Sequence, residues 1–268
     1  RLTPRVKRLL KLMGPGVLSA GAMQINLLVG TIIASLEASA VSYLYYADRV
    51  YQLPLGLIGI GIGVVLVPEL SRRLRAGAEA EARHAFNRAL ELSLFLTLPA
   101  TVALIVVADP IVSVLFQRGA FGPEAAAATA AALAAFATGL PAYVLVKVLQ
   151  PPFFAREDTV TPLKAALATV AANIALSLVL FPVLGFLGLA FATAAASWLN
   201  IAILAWVLAR RGHAPLDGRF KARLPRSLAA SLAMGGAVFG LDRLLDPWSS
   251  RFWRWPSARS ASARSRRW

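Results

Sequence analysis

The chain has 268 residues, 58% hydrophobic and only 15% charged, which excludes an ordinary soluble domain. A formal charge of +15 would suit a nucleic-acid binder, but the basic residues fall between long apolar runs, so that class is excluded as well. With no Cys, disulfides, thiolate chemistry and Cys-based metal sites are also ruled out.

Apolar length and breakers predict seven membrane spans, at about 15–36, 42–68, 89–108, 125–149, 163–183, 185–208 and 226–245. Residues 1–14 form a basic segment that opens with Arg1 and shows no cleavable signal pattern, as expected of a fragment or trimmed chain. The connections 1–14, 69–88, 150–164 and 209–226 hold eighteen Lys and Arg, whereas the alternating connections hold only Arg118. That bias puts the first set in the cytoplasm.

In the first span, Gln24, Thr31 and Ser35 form a polar line at helical spacing, which suits either packing or a cavity wall. The second region, 42–71, is almost wholly apolar yet carries Asp48 and Arg49. Lodging an arginine at such depth costs about 2.5–3.5 kcal/mol on insertion scales, so it is expected to face a bundle interior or a watery cavity. Either Asp48 and Arg49 neutralise each other and help helices pack, or Arg49 is aimed into a cavity to hold an anion. Tyr45, Arg49, Gln52, Gly56 and Gly63 are predicted to share one face, with a kink at Pro54.

Residues 69–88 read as a cytoplasmic surface helix, where His84 is a solvated histidine. Pro99 is a tolerated kink in the third span, and a short outer helix with turns at Gly119 and Gly122 follows it. The fourth span is Ala-rich, bends at Gly139 and Pro141, and ends near Lys147, which is expected to snorkel to the cytoplasmic interface. Thr161-Pro162 reads as the cap and first turn of the fifth span. Asn173 with Ser177, and Thr193 with Ser197 and Asn200, form polar faces suited to tight packing of the fifth and sixth spans. The tail 246–268 is rich in Arg, Ser and Trp and unlike the rest; truncation or a frame change is the expected origin.

No catalytic constellation is evident: His84 and His213 fall in connections, and no HExxH, GxSxG or P-loop occurs. Movement of a substrate through a helix bundle, passive or ion-coupled, remains.

The stretches MGPGVLSAGAMQINLLVGTIIAS (13–35), VSYLYYADRVYQLPLGLIGIGIGVVLVPELS (41–71) and VKVLQPPFFAREDTVTP (146–162) resemble the MurJ/MviN family of lipid II flippases, within the multidrug/oligosaccharidyl-lipid/polysaccharide (MOP) exporter superfamily. The resemblance runs from about residue 4 to about 245. It implies an all-α integral membrane protein, the C-terminal lobe of a fourteen-helix transporter lacking its first six helices and its last. It further implies transfer of lipid II, the undecaprenyl-pyrophosphate-linked disaccharide pentapeptide, across the bacterial inner membrane by alternating access. The implied partners are lipid II, membrane lipids and the N-terminal lobe, with no nucleic acid. Arg49 matches the family's cavity arginine on its eighth helix, and Asp48, Gln52, Tyr45 and Gln24 are the expected cavity wall. Some members bind sodium at positions matching Gly30, Asn173, Ser177 and Thr193. Gly30 and Ser177 stand where such members carry acids, so Asn173, Ser177 and Thr193 remain as sodium-site candidates, and neither a metal nor a cofactor is expected. The coupling ion, sodium or proton, or the membrane potential stays open. The alternatives are another MOP exporter, for polyprenyl-linked polysaccharide or drugs, and a non-transporting truncated membrane protein.

Overall fold

The computed structural model describes residues 4–212 and 217–252. His213 and most of the unusual tail therefore lie outside the described residues. Among those described, the helices run α1 (Pro4–Ala34), α2 (Ala40–Pro54), α3 (Gly61–Arg75), α4 (Glu79–Val106), α5 (Ala108–Phe116), α6 (Pro123–Ala137), α7 (Leu140–Leu149), α8 (Pro151–Phe154), α9 (Val160–Leu184), α10 (Phe186–Arg210) and α11 (Gly218–Phe252). They make seven stretches long and apolar enough to cross a bilayer: Gly16–Ala34, Ala40–Arg75, Glu79–Val106, Pro123–Phe154, Val160–Leu184, Phe186–Arg210 and Gly218–Leu241.

The expected kink at Pro54 takes a specific form. A π-helical segment, Leu55–Ile60, is inserted between α2 and α3. Proline lacks the N–H that would close an α-turn, and widening the next turn lets the backbone groups that follow find partners. The wider turn rotates everything beyond it. Gly63 is thereby carried off the Arg49 face and onto α7, where a methyl added to it would lie 3.6 Å from the Lys147 carbonyl oxygen. The shared face expected for Tyr45, Arg49, Gln52, Gly56 and Gly63 therefore holds only before the insertion.

Residues 69–88 do not form a separate surface helix. Helix α3 extends to Arg75, supported by Glu69 pairing with Arg72 and Arg73, and α4 begins at Glu79. Only a tight turn separates them, at Gly77 with φ +71. His84 accordingly lies on α4, exposed. Helix α4 continues through Pro99, and the fourth span breaks between α6 and α7 at Gly139.

Three apolar clusters hold the bundle together. One joins α2, α5, α6 and α7 around Ala47, Tyr51, Val112, Leu133 and Leu140. A second joins α3, α4, α8 and α10 around Leu70, Phe86, Phe153 and Leu204. The smallest, Ile33, Ala34 and Leu189, pins the end of α1 to α10. Glu37, between α1 and α2, reaches across to accept a hydrogen bond from the Phe186 N–H at the start of α10, 2.8 Å away. Gly185 has φ +58 there, and any side chain on it would meet the Glu37 carboxylate.

The N-cap position of α9 is Thr159 rather than Thr161, and the side chain that holds the first turn is that of Asp158, just before it. Asp158 Oδ1 accepts from the Thr161 N–H at 3.0 Å, while Oδ2 accepts from Thr161 Oγ1 and from the Arg211 guanidinium, each at 2.6 Å. One carboxylate thus ties the start of α9 to the end of α10. Burial pushes that carboxyl up, but the Thr161 and Arg211 hydrogen bonds outweigh it and hold it below the ordinary carboxylate range. A depressed folded-state pKa contributes stability above the unfolded value of about 4, and that stability is lost as pH falls through the folded value. Asp158→Ala should cost about 1 kcal/mol at neutral pH, the usual worth of a cap. The gap in melting temperature from wild type should close at acid pH; a gap that persists undiminished there would contradict the carboxylate's role.

Candidate functional site

Helix α2 carries the site. Arg49 is exposed on this lobe, and its guanidinium carbon stands 4.7 Å from the centroid of the Tyr45 ring, one helical turn back. Stacking on an aromatic face holds the guanidinium without neutralising it. Asp48 instead accepts a hydrogen bond from Gln52 Nε2. Among the described residues no contact ion pair joins Asp48 to Arg49, although the two neighbouring charges still attract each other. Beyond Arg49 the same helical rod exposes Leu53, Leu57 at 82%, Ile60 and Val64, so this side of the lobe is uncovered.

Beside Arg49 lies a cavity of about 260 Å³, lined from α1 by Asn26, Gly30 and Thr31, from α2 by Tyr45 and Asp48, and from α9 and α10 by Asn173, Ser177 and Thr193. Tyr45 serves both places: it lines the cavity and carries Arg49. Gln24, like Arg49, is exposed on the lobe and does not line this cavity, and Gln52 reaches it only through Asp48.

The structure thus brings Gly30, Asn173, Ser177 and Thr193 around one cavity, but their chemistry does not fit a sodium ion held by carboxylates. Gly30 offers no side chain. Ser177 Oγ donates to Asn173 Oδ1 at 3.2 Å, and Thr193 Oγ1 donates to the Leu189 carbonyl at 2.8 Å. Asp48 is the one acid in the lining, and Gln52 already engages it. Among the described residues no group of three or more His, Cys, Asp or Glu assembles.

The fold has known counterparts. The chain is similar to a solved lipid II flippase MurJ in an inward closed conformation, with TM-score 0.71 and 25% identity, covering 92% of this chain and 57% of that one. It also superposes on the Vibrio cholerae MATE transporter VcmN in its bent form, with TM-score 0.69 and 20% identity over 92% and 55% of the two chains, a likeness of fold alone. The class is therefore that of an all-α, multi-pass membrane protein, matching about half of each of these larger folds. A family model described as "Lipid II flippase MurJ" matches residues 1–256. Proteins described as probable lipid II flippase MurJ are 49% identical over 251 residues in Rhizobium meliloti (93% of this chain, 47% of the relative) and 47% identical over 247 residues in Rhizobium tropici (92% and 46%). The chain belongs to the lipid II flippase MurJ family, and it spans about half the length of these curated relatives.

Proposed function

We propose that this chain is the C-terminal lobe of a lipid II flippase of the bacterial inner membrane, with a basic segment at 1–14, the lobe at 15–245 and a separate tail at 246–268. The observation that carries the reading is Arg49: a guanidinium within a membrane span, unpaired with any carboxylate among the described residues, braced by Tyr45 and presented on the uncovered side of the lobe. A charge in that place is costly against lipid and useful against an anion in a wet chamber. A guanidinium matches the paired oxygens of a pyrophosphate, and charge-assisted, two-pronged contacts are the strong ones. Asp48, held by Gln52, lies beside it and keeps Tyr45 between two polar environments.

Alternating access requires a second lobe, since a lobe of this kind buries its repeat interface only against its counterpart. The test therefore uses a chimera in which residues 1–252 replace the matching half of the Rhizobium meliloti relative. Depleting the chimera in cells that depend on it should make undecaprenyl-linked disaccharide pentapeptide accumulate on the cytoplasmic leaflet. Accumulation of another polyprenyl-linked glycan, with peptidoglycan synthesis intact, would overturn the substrate assignment.

A further inference from the structure

The second, third and fourth spans each carry a proline or glycine in their interior, and these sites lie along the border between two apolar clusters. The cluster around Leu70 and Phe86 lies toward the basic connections and is the inner one; that around Tyr51 and Val112 is the outer one. In the second span, Tyr51 and Ile58 belong to the outer cluster, Leu66 to the inner one, and Ile62 touches both. The π-helical segment Leu55–Ile60 ends just before Ile62. In the third span, Leu94 and Leu98 pack inward, Ala100 and Leu104 pack outward, and Pro99 stands between them. In the fourth span, Leu140 and Val144 are outer and Val146 and Val148 inner, with the break at Gly139 about a turn and a half earlier.

The break in the fourth span is built in rather than frayed. Pro141 has no N–H to offer the Ala137 carbonyl. The neighbouring carbonyl, that of Thr138, accepts a hydrogen bond from the Trp198 indole N–H at 3.1 Å. Backbone groups in lipid have to be satisfied within the protein, so this indole supplies the donor that the interrupted turn lacks. Tyr51 packs on both sides of the break, its ring centroid 5.8 Å from that of Phe136 and 5.5 Å from that of Tyr143. A methyl added to Gly139 would lie 2.8 Å from the Ala194 Cα, which makes this glycine a close bearing on α10. The α9–α10 hairpin, by contrast, is built of two single 25-residue helices. It gives Ala165, Leu204 and Leu208 to the inner cluster, but only the partly buried Phe186 and Leu187, at its tip, to the outer one.

We propose that the lobe is hinged across its second, third and fourth spans. The outer block, α2, α5 and α6, tilts on the inner block, α3, α7 and α8, and on the α9–α10 hairpin. The π-helical turn, Pro99 and the Gly139 break are the flexing points, and the Trp198 hydrogen bond holds the last of them. Hinges of this kind are a few element-terminal residues that absorb the change in backbone angle, while the packed blocks on either side stay rigid. Arg49, five residues before Pro54, rides on the outer block, so the tilt changes its distance from the basic end of the bundle. The hinge is a property of this lobe and stands apart from which substrate is carried.

The chain has no native Cys, so spin-label pairs in the chimera with a cysteine-free N-terminal half report on this lobe alone. One pair spans the hinge: Val114→Cys on α5 and Val183→Cys near the end of α9, both exposed. A control pair lies wholly on the inner side: Ala80→Cys on α4 and Lys164→Cys on α9, also exposed. Helix α2 has 15 residues and is about 22 Å long, so a change of about 20° at its end sweeps the far tip through roughly 8 Å. Double electron–electron resonance in lipid nanodiscs should give two distances for the outer pair, separated by about that sweep, and one for the inner pair. Pro54→Ala with Pro141→Ala restores the missing N–H groups and should collapse the outer pair to one distance. Trp198→Phe, which removes the indole donor, should shift the balance between the two. A single distance for the outer pair in the unsubstituted hinge, or two that survive unchanged in the proline variant, would overturn the proposal. The comparison of the two pairs needs no substitution in the hinge, so it decides the matter even if the proline variant fails to reach the membrane.

Discussion

Arg49→Ala in the chimera should abolish growth of a flippase-depleted strain while the protein still reaches the membrane in normal amount. The guanidinium makes no contact ion pair among the described residues, and the neighbouring Asp48, which loses its attraction, keeps its Gln52 hydrogen bond in the variant. What disappears is the contact with the substrate. A hydrogen bond to a charged group is worth about 1.5–3 kcal/mol, or roughly 10- to 150-fold in affinity, and a two-pronged contact lies at the upper end. Arg49→Lys keeps the charge and loses the fork, so it should fall between wild type and Ala. Tyr45→Leu removes only the bracing ring, worth about 0.5–1 kcal/mol at an exposed site, and should leave growth nearly normal. Normal growth with well-expressed Arg49→Ala would refute the assignment, whichever lipid is carried.

The parts of this lobe legible in the sequence were those set by one strong local term. A span shows itself because some twenty apolar residues in a row have few other uses, and Arg49 stood out because its cost in lipid is large whatever its surroundings. Gly139 and Pro141 announced the break between α6 and α7 for the same reason. What escaped depended on three-dimensional register. Placing Gly63 on the Arg49 face assumed an unbroken 3.6-residue period, and the π turn after Pro54 consumed part of that period. Asn26 lines the cavity between α1 and α9, and polarity alone does not say which side of α1 meets α9. The Glu37 cap on α10 joins residues 149 apart in the chain, and no local pattern signals it. Asp158 was within reach: an acid three residues before Thr161 is an ordinary capping signal, overlooked beside the more conspicuous Thr-Pro pair.

Gly188→Ala should be the most damaging single-methyl change in the lobe. The added Cβ would lie 2.6 Å from both the carbonyl carbon and oxygen of Leu180 and 2.9 Å from the Phe181 nitrogen. These are backbone atoms of α9, so no side chain can rotate away, and the α9–α10 hairpin must open. Helix α10 cannot simply retreat, because Gly139 presses on it at Ala194, where an added methyl would lie 2.8 Å from Cα. Small residues at such crossings are what let helices pack in lipid, where apolar burial supplies little drive. Overfilling a packed contact costs about 1–3 kcal/mol, and two opposed contacts on one helix put this change at the high end. The wall formed by Asn173, Ser177 and Thr193 would shift with the hairpin, so transport should fall together with the melting temperature. Gly21→Ala is the matched control: nothing lies within 4 Å of its added methyl, and it should melt like wild type. If Gly188→Ala and Gly21→Ala melt alike in detergent, the hairpin is looser than its geometry states, and the cavity wall it carries is not rigid.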